Sequence, residues 1–167
     1  NFKTVIKDPY PHLMIENALP EEIHNELRDT LPEDWVTTKQ LCEEGRCYRA
    51  KTKHLHEDNF PVAPIWKEFF EYHCSREYFD AVMDIFSDYH HLLPMQPKDI
   101  KLDERMGRTP GSGNCYSECQ FVRHVPVADG QTTRTPHLDN PREIYAGLLY
   151  FKHPDDQSVG GGFNVHA

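Results

Sequence analysis

No apolar run approaches the roughly 20 residues that a membrane-crossing helix needs, and the first residues lack the charged, apolar and small-residue pattern of a signal peptide. Positive charge is scarce. Lys and Arg number 18 against 27 Asp and Glu, a net charge of −9, and the densest basic stretch is Arg46, Arg49, Lys51 and Lys53. Phosphate backbones are held by basic faces, so nucleic acid is excluded as an electrostatic partner. The five cysteines, at 42, 47, 74, 115 and 119, contain no Cys-x-x-Cys pair, which removes the usual zinc-ribbon and thioredoxin-like readings. Free thiols in a reducing, cytoplasmic setting are expected, with a Cys42–Cys47 or Cys115–Cys119 bridge open only in an oxidising one. A soluble chain with neither a nucleic-acid nor a membrane partner is expected.

What is present suits one domain: 167 residues can bury about two thirds of their unfolded surface. Residues 1–93 read as an N-terminal strand pair around the turn Asp8-Pro9-Tyr10-Pro11, followed by helices. Pro20 with Glu21 and Glu22 opens a helix that runs to about Thr30, with Ile23 and Leu27 four apart on one face. Residues 35–59 read as a polar loop with one strand near residues 47–53. Residues 64–90 carry apolar side chains at helical spacing, first Ile65, Phe69, Phe70 and His73, then Tyr78, Phe79, Val82, Met83 and Phe86, with a break near Ser75. Core packing is the expected use of that aromatic stripe. His90 and His91 follow it, where imidazoles commonly face a helix C-terminus or solvent rather than a metal. Residues 94–113, rich in Pro and Gly, read as a surface loop with a short strand at residues 99–102. From residue 114 the pattern turns to β, with alternation through residues 116–125.

One triplet stands apart. His-x-Asp occurs three times, where composition alone gives roughly one, so context must decide. His56-Glu57-Asp58 lies in a charged run and His153-Pro154-Asp155 in a turn. His137-Leu138-Asp139 leads into the apolar stretch of residues 144–151, read as a strand and hence a rigid platform. Residues two apart on an extended chain share a face, so an imidazole and a carboxylate there can reach one ion. On the preceding strand, burying Phe121 and Val125 turns Gln120 and His124 to the other face, as candidates for a cofactor pocket.

This stretch resembles the iron(II)- and 2-oxoglutarate-dependent dioxygenase superfamily, of prolyl hydroxylase-like, bacterial or phage type. The resemblance rests on His137 and Asp139, Leu148-Leu149-Tyr150-Phe151, the polar turn of residues 154–158 and Gly161-Gly162-Phe163, with Asp8-Pro9-Tyr10-Pro11-His12-Leu13 and Asn17-Ala18-Leu19-Pro20 similar to the family's entry segment. It covers both ends of the chain and is weak through the middle. It implies an α+β fold with a double-stranded β-helix (jelly roll) core, its first strands in residues 114–167, braced by N-terminal helices. It implies Fe(II) held by His137 and Asp139, 2-oxoglutarate as cosubstrate with Gln120 and His124 as candidate contacts, and dioxygen. Hydroxylation of a small-molecule or peptidyl substrate, with release of succinate and CO2, is the implied reaction.

The family's third ligand is a downstream His, followed by an Arg or Lys that pairs with 2-oxoglutarate. His166 is the one His after the polar turn. In a hairpin about Gln157 it would sit opposite Leu148, roughly 30 Å along the strand from Asp139 at about 3.3 Å per residue. The third ligand is therefore expected beyond Ala167. Two other readings stay open: a non-catalytic double-stranded β-helix domain that binds a ligand or partner, and a partner-binding protein using its acidic face. A cupin is disfavoured by Asp at position 139, where cupins carry a second His. The loops at residues 36–60 and 94–113, where selectivity would reside, carry no readable substrate code.

Overall fold

A computed structural model describes residues 4–41, 47–57, 61–103, 113–124, 137, 139–152, 154–157 and 159. The described residues form an α+β arrangement of short helices and small sheets, with no closed barrel among them. None of the described helices is long and apolar enough to cross a membrane.

The chain begins with a loop closed by paired hydrogen bonds between Ile6 and His12 across a cis Asp8–Pro9 peptide. This is an isolated bridge rather than the expected strand pair. Helix α1, Glu21–Asp29, starts where expected. Pro20 precedes it, Glu21 and Glu22 meet the positive end of its dipole and Arg28 the negative end. Its buried contribution is Leu27, fully enclosed, whereas Ile23 remains 40 % exposed. A second, one-turn helix, α2 (Glu33–Thr37), follows Pro32 and buries Trp35 and Val36.

Strand β1 is Gln40–Leu41, β2 is Cys47–Lys51 and helix α3 is Thr52–Glu57. The region read as polar loop thus holds the end of α2 and all of α3, which sequence periodicity did not reveal, since five or six residues are too few to show a stripe. Helix α4, Pro64–His73, has Pro at its first turn, and α5 is Arg76–Ile85. The expected break near Ser75 is real and has a local cause. The Ser75 hydroxyl donates to the Tyr72 carbonyl at 2.7 Å and accepts from the Tyr78 amide at 3.2 Å, so one side chain ends α4 and caps α5. The i,i+4 pair Arg76–Asp80 on α5 is exposed and adds at most about 0.5 kcal/mol. The cap matters more.

After α5 come two 3-10 turns, Ser87–Leu92 and Pro97–Asp99, then β3 (Leu102–Asp103), β4 (Cys115–Tyr116) and β5 (Gln120–His124). The short strand expected at residues 99–102 is displaced: Asp99 closes a turn, Ile100 is buried and pairing starts at Leu102. The His90 and His91 rings donate to the carbonyls of Met83 and Asp88, at 2.9 and 3.1 Å, and serve as local helix-end donors. Asn114 ties β4 back, accepting from the Lys101 amide and donating to the Asp99 carbonyl. Gly113 is required beside it, because a Cβ there would lie 2.5 Å from the Lys101 carbonyl oxygen.

Strands β1, β2 and β5 form an antiparallel sheet in that order, while β3 and β4 pair in parallel. In the register Ala50↔Phe121, both residues point to the packed face. There Phe121 meets Trp66 at 4.7 Å between ring centroids, Phe70 at 4.8 Å and Trp35 at 6.1 Å. The Trp66 indole N–H donates to the Thr30 carbonyl at 3.2 Å, fixing α4 against the end of α1. A second cluster, Phe79, Met83 and Ile100, sits under α5. The buried faces of α4 and α5 therefore belong to two different cores. On α4 the fully buried positions are Trp66 and Phe70, with Ile65 and Phe69 only flanking them.

Truncating Trp66 removes aromatic contacts with β5 and α4 and leaves the Thr30 carbonyl without its indole donor. Trp66→Ala is expected to cost about 3–5 kcal/mol and Ser75→Ala about 1 kcal/mol, both read from the shift of the urea unfolding midpoint at constant slope.

Candidate metal centre

The segment carrying His137 and Asp139 is fixed by the residues on its C-terminal side. Asn140-Pro141-Arg142-Glu143 is a β-turn of the kind its residues favour, with Asn first and Pro second. The Glu143 amide donates to the Asn140 carbonyl at 2.8 Å, and the Arg142 amide donates to the Asn140 side-chain oxygen at 3.0 Å. Immediately afterwards, Ile144 and Tyr145 pack on the Phe79–Met83–Ile100 cluster. The Tyr145 ring lies 6.3 Å from Phe79 and 6.5 Å from Tyr78. Burial raises the Tyr145 phenol to about 12, so it stays protonated.

Residues 144–151 are not a strand in the structure, contrary to the expectation from sequence. Their apolar side chains are divided between two anchors. Ile144 and Tyr145 serve one cluster. Phe151 serves the other, 5.6 Å from Trp66 and stacked on His24 at 5.1 Å. Between them Leu148, Leu149 and Tyr150 are exposed, and Gly147 faces open space. The segment spans the two cores instead of lying in a sheet.

His137 and Asp139 point to the same side. His137 Nε2 lies 3.4 Å from Asp139 Oδ1, and both side chains are accessible. Two donors each about 2.1 Å from one ion lie roughly 3.0–3.4 Å apart at ordinary coordination angles, so this separation fits a shared cation. An imidazole nitrogen and a carboxylate oxygen also suit a first-row divalent metal. No third His, Cys, Asp or Glu joins them among the described residues. His166, Asp58 and His153 lie outside the described residues, as do the side chain of His56 and residues 125–136.

Gln120 and His124 occupy the two ends of β5. The register Lys51↔Gln120 and Cys47↔His124 puts them with Arg49 and Val122 on the face opposite Phe121, which is the expected side. Both are exposed. Partial burial holds the His124 imidazole below its ordinary value, and the nearby Arg49 guanidinium adds to the shift.

Spacing gave no sign of three further polar contacts. Lys51 pairs with Glu118 at 3.3 Å, both largely shielded. The Lys51 amide donates to His54 Nδ1 at 3.1 Å. Cys74 and Cys119, 45 residues apart, lie with their sulfurs 3.7 Å from one another. The Cys74–Cys119 approach depends on how the α4–α5 corner packs against the chain entering β5, which no local pattern encodes. Cys47 and Cys115 are also free thiols, so the Cys115–Cys119 bridge is not formed, and Cys42 lies outside the described residues.

Comparison of the chain with protein-family models, curated proteins and solved structures finds no match.

The cationic Arg49 disfavours protonation of His124. In an NMR titration His124 should therefore change charge below 6.5, the ordinary imidazole value, and Arg49→Gln should move its midpoint upward toward that value.

Proposed function

We propose that this chain is part of an iron(II)- and 2-oxoglutarate-dependent oxygenase in which His137 and Asp139 hold the metal. The observation that carries the reading is the 3.4 Å approach of His137 Nε2 and Asp139 Oδ1 on an accessible stretch moored by Ile144 and Tyr145. Further support is the sequence context of the triplet, with an apolar stretch, a polar turn and paired glycines following in order. In this proposal the fold is a double-stranded β-helix to which residues 114–167 contribute.

Each side chain has its own role. His137 supplies a neutral nitrogen donor, which requires the imidazole to be unprotonated. Asp139 supplies an anionic oxygen that offsets part of the metal charge, so a small residue in its place would lose charge compensation as well as a ligand. The Asn140–Glu143 turn holds the pair at a fixed distance from the Tyr145 anchor. Gln120 can donate its amide N–H to a carboxylate-bearing cosubstrate, and His124 can donate a ring N–H without carrying a charge at neutral pH. Bound iron with 2-oxoglutarate and dioxygen would supply the oxidation of a substrate C–H bond, with release of succinate and CO2. The substrate class proposed is a small molecule or a peptidyl residue.

Iron content after anaerobic reconstitution tests the ligand assignment. His137→Ala and Asp139→Ala should each lower bound iron at least tenfold, whereas full retention in His137→Ala rejects it. Succinate formation on addition of 2-oxoglutarate and Fe(II) tests the reaction. Iron binding without succinate would favour the non-catalytic β-helix domain.

A further inference from the structure

The corner between α4 and α5 lies against the chain entering β5, and two thiols meet there. Cys74 is the C-cap residue of α4 and is 1 % exposed. Cys119 immediately precedes β5 and is partly exposed. Their sulfurs are 3.7 Å apart, so closing a covalent bond of about 2.05 Å needs a movement of under 2 Å. Several contacts hold the pair in place. The Cys74 amide donates to the Phe70 carbonyl, Ser75 fixes the corner through Tyr72 and Tyr78, and the Cys119 carbonyl accepts from the Thr52 amide at 3.1 Å. The hydrogen bond between the two sulfurs eases proton loss at Cys74, while the same contact and burial push the Cys119 thiol up, so that Cys119 keeps its proton.

We propose that Cys74 and Cys119 form an oxidation site at which a hydroperoxide converts the two thiols into a disulfide linking the α4–α5 corner to the start of β5. The oxidant enters beside partly exposed Cys119 and meets the Cys74 sulfur 3.7 Å behind it. The Cys74 sulfur, having given up its proton, attacks one peroxide oxygen. The O–O bond breaks, a sulfenic acid forms, and the departing hydroxide takes up the released proton as water. The Cys119 sulfur then attacks the sulfenic sulfur. The S–S bond forms, the S–O bond breaks, and a second water leaves with the Cys119 proton. Two thiols lose two electrons in total, and hydrogen peroxide, the oxidant, is reduced to two waters.

The bridge closes a long loop that contains α5, β3 and β4. It therefore removes much of the freedom of the unfolded chain. It also fastens the chain next to Tyr145, the anchor of the His137–Asp139 segment, because the two cysteines and Tyr145 are electrostatic neighbours. The proposal does not depend on metal binding.

The test is titration of the native protein with hydrogen peroxide, followed by alkylation under denaturing conditions and a non-reducing peptide map. The expected product is a single cross-linked peptide pair containing Cys74 and Cys119, lighter by the two hydrogens lost. The melting midpoint should rise by roughly 5–10 °C and return when dithiothreitol is added. Cys115→Ser should leave both results unchanged, while Cys74→Ser and Cys119→Ser should each abolish them. A map in which Cys74 remains alkylatable while Cys119 carries sulfinic acid would overturn the proposal. So would a cross-link to Cys47 or Cys115. The wild-type map decides the matter even if a serine variant does not fold.

Discussion

The insertion of Phe121 between Trp66, Phe70 and Trp35 is the contact on which the described structure depends. It joins the sheet to α2 and α4 in one place. A fully buried Phe contributes on the order of 2–3 kcal/mol by area alone, and its edge-on aromatic contacts add to that. Because β5 pairs with β2 through Ala50↔Phe121, the same residue also fixes the register of the antiparallel sheet. A slip of one position would turn Phe121 to the open face and bring Gln120 or Val122 into the core.

The second cluster has a different task. Phe79, Met83 and Ile100 bury little by comparison, yet they receive Ile144 and Tyr145 and so locate the end of the His137–Asp139 segment. The α4–α5 corner connects the helices that serve the two cores, and there Ser75 supplies a donor and an acceptor to the backbone groups that the helix ends leave unsatisfied. Electrostatics outside these regions is modest. The charged pairs are mostly exposed, whereas Lys51–Glu118 is shielded and lies at the junction of β2 with the approach to β5.

Long periodic stretches were the readable part of the sequence. Pro20 with Glu21 and Glu22 marked α1, and the apolar spacing through residues 64–90 marked α4 and α5, including their break at Ser75. Phe121 correctly oriented β5. Short elements escaped, because α2 and α3 are held by tertiary burial of Trp35, Val36 and Leu55 rather than by a repeat. Residues 144–151 misled for the opposite reason. Their apolar run matches a buried strand, but the side chains are shared between two separate anchors with an exposed middle. At the site, the His137–Asp139 approach could be anticipated from two-residue spacing. The Cys74–Cys119 contact could not, since it arises from packing across 45 residues.

The stretch from Tyr145 to Phe151 is tethered at both ends, like a cord between two posts. Its five intervening residues are exposed and join the two posts along the chain. A volume change beside Phe151, at Trp66 or His24, is therefore connected by a short covalent path to Tyr145 and to the turn at Asn140. Packing in the first core and the placement of an imidazole and a carboxylate that it never touches share one piece of backbone.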